Sequence, residues 1–178
     1  MSIAGRMTAF LVGASLLAAL APMAVAAAPP PLAVYGSLPR TEAVALSGDG
    51  NMLAMVETDG DQRLLVIETA DGHPAAKVGI GDLKLAGIEW AGSDYVIAYM
   101  HSTSRLSVYA RHEQEFTQGI IVNAKDGSIK PLLRQSGDYL TAIFGHHGLM
   151  KIDGHWVGYY GVVPLERSMD GVSASGFF

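Results

Sequence analysis

Six histidines, seventeen acidic side chains and a scatter of serines carry whatever chemistry this sequence can do, and there is no cysteine. The missing cysteine removes thiolate metal sites, cysteine nucleophiles and disulfides together. Serine hydrolysis through a nucleophile elbow needs Gly-x-Ser-x-Gly, because small flanking residues permit the strained strand-to-helix turn that exposes the hydroxyl. The nearest string, Gly171-Val172-Ser173-Ala174-Ser175, has serine where the last glycine belongs and no helix pattern after it. A phosphate-binding loop and a glycine-rich dinucleotide fingerprint are both missing.

The histidines and acids allow three further constellations. His146, His147 and His155 flank the segment from Met150 to Asp153, and a hairpin there would bring two imidazoles together. Neighbouring strand residues point to opposite faces, so only one of His146 and His147 can join His155, and a third ligand would have to come from afar. Surface histidines are therefore the preferred reading. His112, Glu113 and Glu115 lack the His-Glu-x-x-His spacing of a zinc helix. Asp59 with Asp61, and Glu113 with Glu115, place two acids at i and i+2 on one strand face, a pair that could do glycosidase chemistry, but turn and surface acids produce the same spacing and the solvated reading is preferred. Trp90, Trp156, Tyr95, Tyr99, Tyr159 and Tyr160 offer either a stacking surface or filling between sheets, and core filling is favoured. No catalytic, cofactor-binding or metal-binding residue is assigned on these grounds, and no cofactor is expected.

The elements that would position such groups read as strands. Apolar runs of strand length, rich in Val, Ile, Tyr and Trp, occur at Ala43 to Leu46, Met52 to Val56, Leu64 to Ile67, Ile88 to Trp90, Tyr95 to Met100, Gly119 to Val122, Leu140 to Phe144, Leu149 to Ile152 and Trp156 to Val163. None sustains a helical period. Between them lie six Asp-Gly pairs, at Asp49, Asp59, Asp71, Asp126, Asp153 and Asp170. That dipeptide tolerates positive φ at both central positions of a tight hairpin turn, so successive antiparallel strands are predicted. Arg105 to Gln118 is the one stretch with some helical content, and its Ser, Val, Tyr and Thr favour an irregular or strand-flanking loop.

The strands repeat. The segment from Leu65 to Gly72 is echoed by Ile120 to Gly127, and Leu46 to Ala54 is echoed by Trp90 to Ala98. A meander repeating every ~40 to 55 residues is the mark of propeller blades, each of about four strands. The predicted fold is therefore all-β: antiparallel meander blades of a partial, open β-propeller over 39–178, about three blades, after a Pro-rich extended lead-in over 27–38. Open sheet edges invite association unless another chain or a further stretch of this one covers them.

Residues 1–26 read as a signal peptide, with Arg6, an apolar run from Thr8 to Ala21 and Ala24-Val25-Ala26 as the small-x-small cleavage site. An uncleaved anchor is the lesser option and the only membrane contact expected. Cleavage takes Arg6 and leaves a chain of 152 residues with 17 acidic and 11 basic side chains, an acidic balance that argues against nucleic acid as a partner. A periplasmic or secreted destination follows.

Tyr35-Gly36-Ser37-Leu38-Pro39, then Val44-Ala45-Leu46-Ser47-Gly48-Asp49-Gly50 and Leu53-Ala54, resemble the opening of the propeller in exported bacterial serine peptidases of the prolyl oligopeptidase family. Gly81-Asp82-Leu83-Lys84-Leu85, followed by Ile88-Glu89-Trp90-Ala91-Gly92-Ser93-Asp94, resembles the passage to the next blade. The similarity runs from Tyr35 onward, with Gly48 in place of the usual proline. It implies a non-catalytic, substrate-gating fragment whose partner is a C-terminal α/β-hydrolase domain, with peptides as ligands of the whole. No position matches the triad motif, so no catalytic residue is carried over. The competing expectation is a self-contained periplasmic binding or scaffold module that closes by oligomerisation.

Overall fold

A computed structural model describes residues 29–105, 112–135, 137–168 and 171–174. The predicted signal segment, Asp170 of the last Asp-Gly pair and the C-terminal aromatics Phe177 and Phe178 lie outside the described residues. The chain divides into two compact units, Met1–Ser37 and Leu38–Phe178. In the first, α1 (Leu32–Gly36) is a single exposed helical turn where the proline run predicts an extended lead-in. Pro31 precedes it with an open carbonyl that accepts the amide of Val34 at 2.9 Å, and Ser37 Oγ donates to the Val34 carbonyl at 2.9 Å.

The second unit is all-β and antiparallel. One four-stranded sheet runs in chain order through β1 (Thr41–Leu46), β2 (Met52–Asp59), β3 (Gln62–Thr69) and β4 (Pro74–Gly81). A second does the same through β5 (Lys84–Ala91), β6 (Tyr95–Ser104), β7 (Gln114–Asn123) and β8 (Ile129–Pro131). Two hairpins follow: β9 (Gly145–Ile152) with β10 (His155–Gly161), and β11 (Leu165–Ser168) with β12 (Gly171–Ala174). Among the described residues these sheets do not close on one another.

The internal echo falls on equivalent corners. Leu46 to Ala54 spans the β1–β2 turn and Trp90 to Ala98 the β5–β6 turn; Leu65 to Gly72 and Ile120 to Gly127 are the β3 and β7 strand ends with their turns. The second pair is spaced more widely because the β6–β7 connection is long, whereas Asp59 pairs with Gln62 across a two-residue turn between β2 and β3.

The Asp-Gly turns obey a narrower rule than the sequence suggests. Among the described pairs only Asp153-Gly154 has both φ angles positive, 49° and 81°, as a two-residue primed turn between Ile152 and His155 demands. At Asp49, Asp59, Asp71 and Asp126 the following glycine alone is left-handed. Asp49, Asp71 and Asp126 work through their side chains instead. Asp49 accepts from Ser47 Oγ at 2.7 Å and from the Asn51 amide at 3.1 Å, and the Ser47 hydroxyl, then Ser93, then the Asn51 amide hold its carboxyl well below the usual carboxylate range.

Two sequence expectations need correction. Leu140 to Phe144 is not a strand; it carries one isolated bridge, Ile143 to Thr117. Gln114 to Gln118, expected in a loop, belongs to β7, because Phe116 turns inward beside Phe144 at a ring separation of 6.2 Å. Residues 106–111 of that predicted loop lie outside the described residues. Strand β4 follows Asp71-Gly72, where the repeat predicts a second strand, although Pro, Ala, Lys and Gly dilute its apolar signal; as an edge strand it tolerates Pro74 at its first position.

One apolar cluster joins the sheets. Ala54, Val56, Leu65 and Ile67 of the first meet Val96, Ala98, Val122 and Ala124 of the second, with Ile88 and Trp90 packed against them. Two hydrogen bonds fasten β1 beside β5: Trp90 Nε1 donates to the Ala45 carbonyl at 2.9 Å, and the Gly48 amide to the Gly92 carbonyl at 3.0 Å. Trp90 is thus core, as expected, with its polar atom satisfied. Within the first sheet the buried Arg63 makes a fork: Nε lies 2.8 Å from Glu42 Oε1, Nη2 donates to Glu42 Oε2 at 3.2 Å and Nη1 to the Asp82 carbonyl at 2.9 Å.

Candidate functional site

Strand alternation decides which side chains leave the second sheet on its far side. With Trp90, Val96 and Val122 turned toward the first sheet, their neighbours Glu89, Ile97 and Ile121, which pair with one another across the strands, turn the other way, toward β9 and β10. The corresponding layer of the first sheet is Ala45, Ala54 and Ile67, wholly apolar. Glu89 therefore puts a carboxylate where the first sheet has a methyl group, and burying a charge there requires partners.

The partners come from three strands. Tyr99 on β6 donates its hydroxyl to Glu89 Oε1 in a short hydrogen bond, and its oxygen lies 2.8 Å from the Tyr160 hydroxyl on β10. His146 on β9 brings Nε2 to 3.1 Å from Glu89 Oε1. Its ring stacks on Tyr160, with centroids 5.2 Å apart and planes 16° apart, which fixes the imidazole from the side. Burial first, then donation to Glu89, then contact with Tyr160 push the Tyr99 phenol far above the ordinary tyrosine value. Burial also raises that of Tyr160, and the Glu89 charge adds to it. Both phenols stay protonated. They serve as hydrogen-bond donors and do not supply an oxyanion nucleophile.

Tyr99 and His146 of this cluster line a cleft of about 370 Å³ together with His101, Thr117, Ile143 and Phe144. His101 Nδ1 is 3.2 Å from Thr117 Oγ1 and 3.8 Å from Glu115 Oε1; Glu115 also meets Lys84 at 3.4 Å. A nucleophile-base-acid triad needs the hydroxyl and the carboxylate on opposite nitrogens of the imidazole. Here both address Nδ1, so this threonine is held and not activated. Below the first cleft lies an apolar groove of about 470 Å³ where Ile97, Ile121 and Leu132 face Leu149 and Trp156. The indole of Trp156 rests on Gly92: a Cβ there would come within 2.7 Å of the ring.

The sequence candidates distribute as follows. His146 enters the cluster, while His147 is exposed beside Gly145 and His155 lies at the rim of the apolar groove, so the three are not a ligand set. Among the described residues no group of three His, Cys, Asp or Glu is placed to hold a metal ion. His112 and Glu113 are exposed ahead of β7. Neither acid pair occupies two strand positions: Asp61 sits in the β2–β3 turn and Glu113 precedes the strand that carries Glu115. Tyr99 and Tyr160 belong to the polar cluster, Tyr95 edges the apolar groove and Tyr159 is exposed, so core filling describes Trp90 but not these tyrosines. Ser173 lies on β12, in a hairpin and without a helix after it among the described residues. Sequence reasoning missed Glu89. Its signal lies one position before the echo of Leu46 to Ala54 by Trp90 to Ala98, where Glu89 stands in the place of Ala45.

No helix among the described residues is long and apolar enough to cross a membrane. No protein-family model, curated protein or solved structure matches the chain.

Proposed function

We propose that this chain is the propeller portion of an exported serine peptidase resembling the prolyl oligopeptidase family, a non-catalytic part that limits access of peptides to a separate α/β-hydrolase domain. The observation that carries the reading is the order of the two four-stranded sheets. Each is a meander in chain order, and the first strand of the second lies beside the first strand of the first, so the chain leaves one outer strand to begin the next inner one. Successive blades are laid down in that way. The Tyr35 to Ala54 and Gly81 to Asp94 segments add the family resemblance, and the signal-like residues 1–26 add export to the periplasm or beyond. A cleft edged by the protonated Tyr99 phenol and the rings of His101 and His146, with a threonine that is not activated, suits recognition of a peptide better than its cleavage.

The test is the native gene product. A reading frame that continues past Phe178 into a Gly-x-Ser-x-Gly motif, together with no peptide hydrolysis by the 178-residue chain, is the expected result. A product ending at Phe178, or peptidase activity in the purified chain, overturns the reading. The second reading, a self-contained binding or scaffold module that closes by oligomerisation, is favoured by one specific observation: large apolar side chains lie exposed on two separate sheet faces.

A further inference from the structure

We propose that those two faces are complementary docking faces, and that a second copy of this chain covers the open face of the first sheet with the open face of its own β9–β10 hairpin. This rests on the repeated-sheet part of the reading above and not on the hydrolase part.

The two faces of the first sheet differ. One carries Ala54, Val56, Leu65 and Ile67 into the shared cluster. The other carries Val44 opposite Met55 and Leu46 opposite Leu53; Val66 behind Met55 is buried and Leu53 and Met55 are partly buried, so the exposure lies on β1. Val44 is 58% and Leu46 62% exposed, far more than aliphatic side chains on a sheet face usually are. The echo identifies what these residues are for. It aligns Leu46 with Trp90, and hence Val44 with Ile88, and both of those counterparts are packed against the cluster of the first sheet. The second sheet thus shows the same type of face in its covered state.

The covering surface can be traced in the same sense along the chain. The inward face of the first sheet covers the Ile88 and Trp90 face of the second. The far face of the second, with Ile97 and Ile121, looks across the apolar groove at Leu149 and Trp156 of the hairpin. The remaining face of the hairpin presents Met150 opposite Val157 and Ile152 beside its turn; Met150 is 50% exposed, Ile152 40% and Tyr159 on the neighbouring strand 45%. One face of each kind is left over. Because they are different surfaces, the contact they make is heterologous: each copy offers one face to one neighbour and the other face to another.

That geometry gives a complementation test. Light scattering on the full chain, expressed with its N-terminal segment in place, is compared with Leu46→Glu and Met150→Glu across a concentration series, with strand content checked by circular dichroism. Both positions are exposed, so the fold should tolerate the charge. The wild type is expected to form assemblies of more than one copy, and each variant alone to fall to the mass of a single chain. A one-to-one mixture of the variants is expected to recover a two-chain species, since each keeps the face the other lacks. A wild type that stays single at every concentration, a variant that keeps the wild-type mass, aggregate insensitive to both substitutions, or a mixture that stays single each overturns the proposal. Failure here leaves the hydrolase reading untouched, because that reading is decided by the frame beyond Phe178.

Discussion

Tyr99 holds the polar cluster together because its hydroxyl meets Glu89 and Tyr160 at once. Tyr99→Phe deletes both bonds and leaves a half-buried carboxylate with one donor fewer, so a loss of about 1–2 kcal/mol is expected in urea denaturation. Combined with Glu89→Gln, the two losses should not add, because the groups share one bond; additive losses would show that the pair does not interact. The raised phenol value has its own consequence. A group held protonated by the fold contributes its full stability below the unfolded tyrosine value of about 10 and loses it as pH rises beyond. Stability should therefore decline more steeply above pH ~10 in the wild type than in Tyr99→Phe, and equal slopes would assign the decline to other groups. In the sequence, Tyr99 and Tyr160 stood out only as aromatics and Glu89 only as part of an apolar run. Their meeting depends on which face each strand turns to a hairpin some sixty residues away, and composition does not encode that.

At the scale of strands and turns, most of the fold was legible. Apolar runs bounded by Asp-Gly pairs located the hairpins, and the echo located the two matching corners. Leu140 to Phe144 misled because its apolar residues are buried by neighbours without a partner strand: Leu140 and Ala142 are buried, yet the backbone makes only scattered bonds to Val163, Thr117 and Gly161. Burial and strand pairing usually coincide, and here they separate. The β5–β6 turn offers the sharpest test at this scale. Gly92 has φ +65°, and the Trp156 ring occupies the space a Cβ would need. Gly92→Ala should cost about 1–3 kcal/mol by chemical denaturation through the clash and the strained backbone together. A neutral result would mean that β10 does not seat its tryptophan on this corner.

The two four-stranded sheets share one apolar cluster, so they should not unfold independently. Leu65, fully buried within it, touches the joint between them. Leu65→Ala is expected to remove about 2–5 kcal/mol and to shift a single transition seen alike by near- and far-ultraviolet dichroism; separate transitions would show two autonomous sheets. The Arg63 fork bears on a different matter, the order in which the chain becomes structured as it is made. Its three contacts go to two residues, Glu42 on β1 and Asp82 in the connection just after β4. The fork can close only when the whole first meander and its exit have been delivered, and it needs nothing later. Synthesis proceeds from the N-terminus, so a latch of this kind lets an early segment finish its polar bonds while its apolar face waits for strands not yet made. During that interval the nascent sheet has its fork and its own strand ladders closed while its apolar face and its bonds to Trp90 and Gly92 still wait, and this is the stage at which a chaperone would find it.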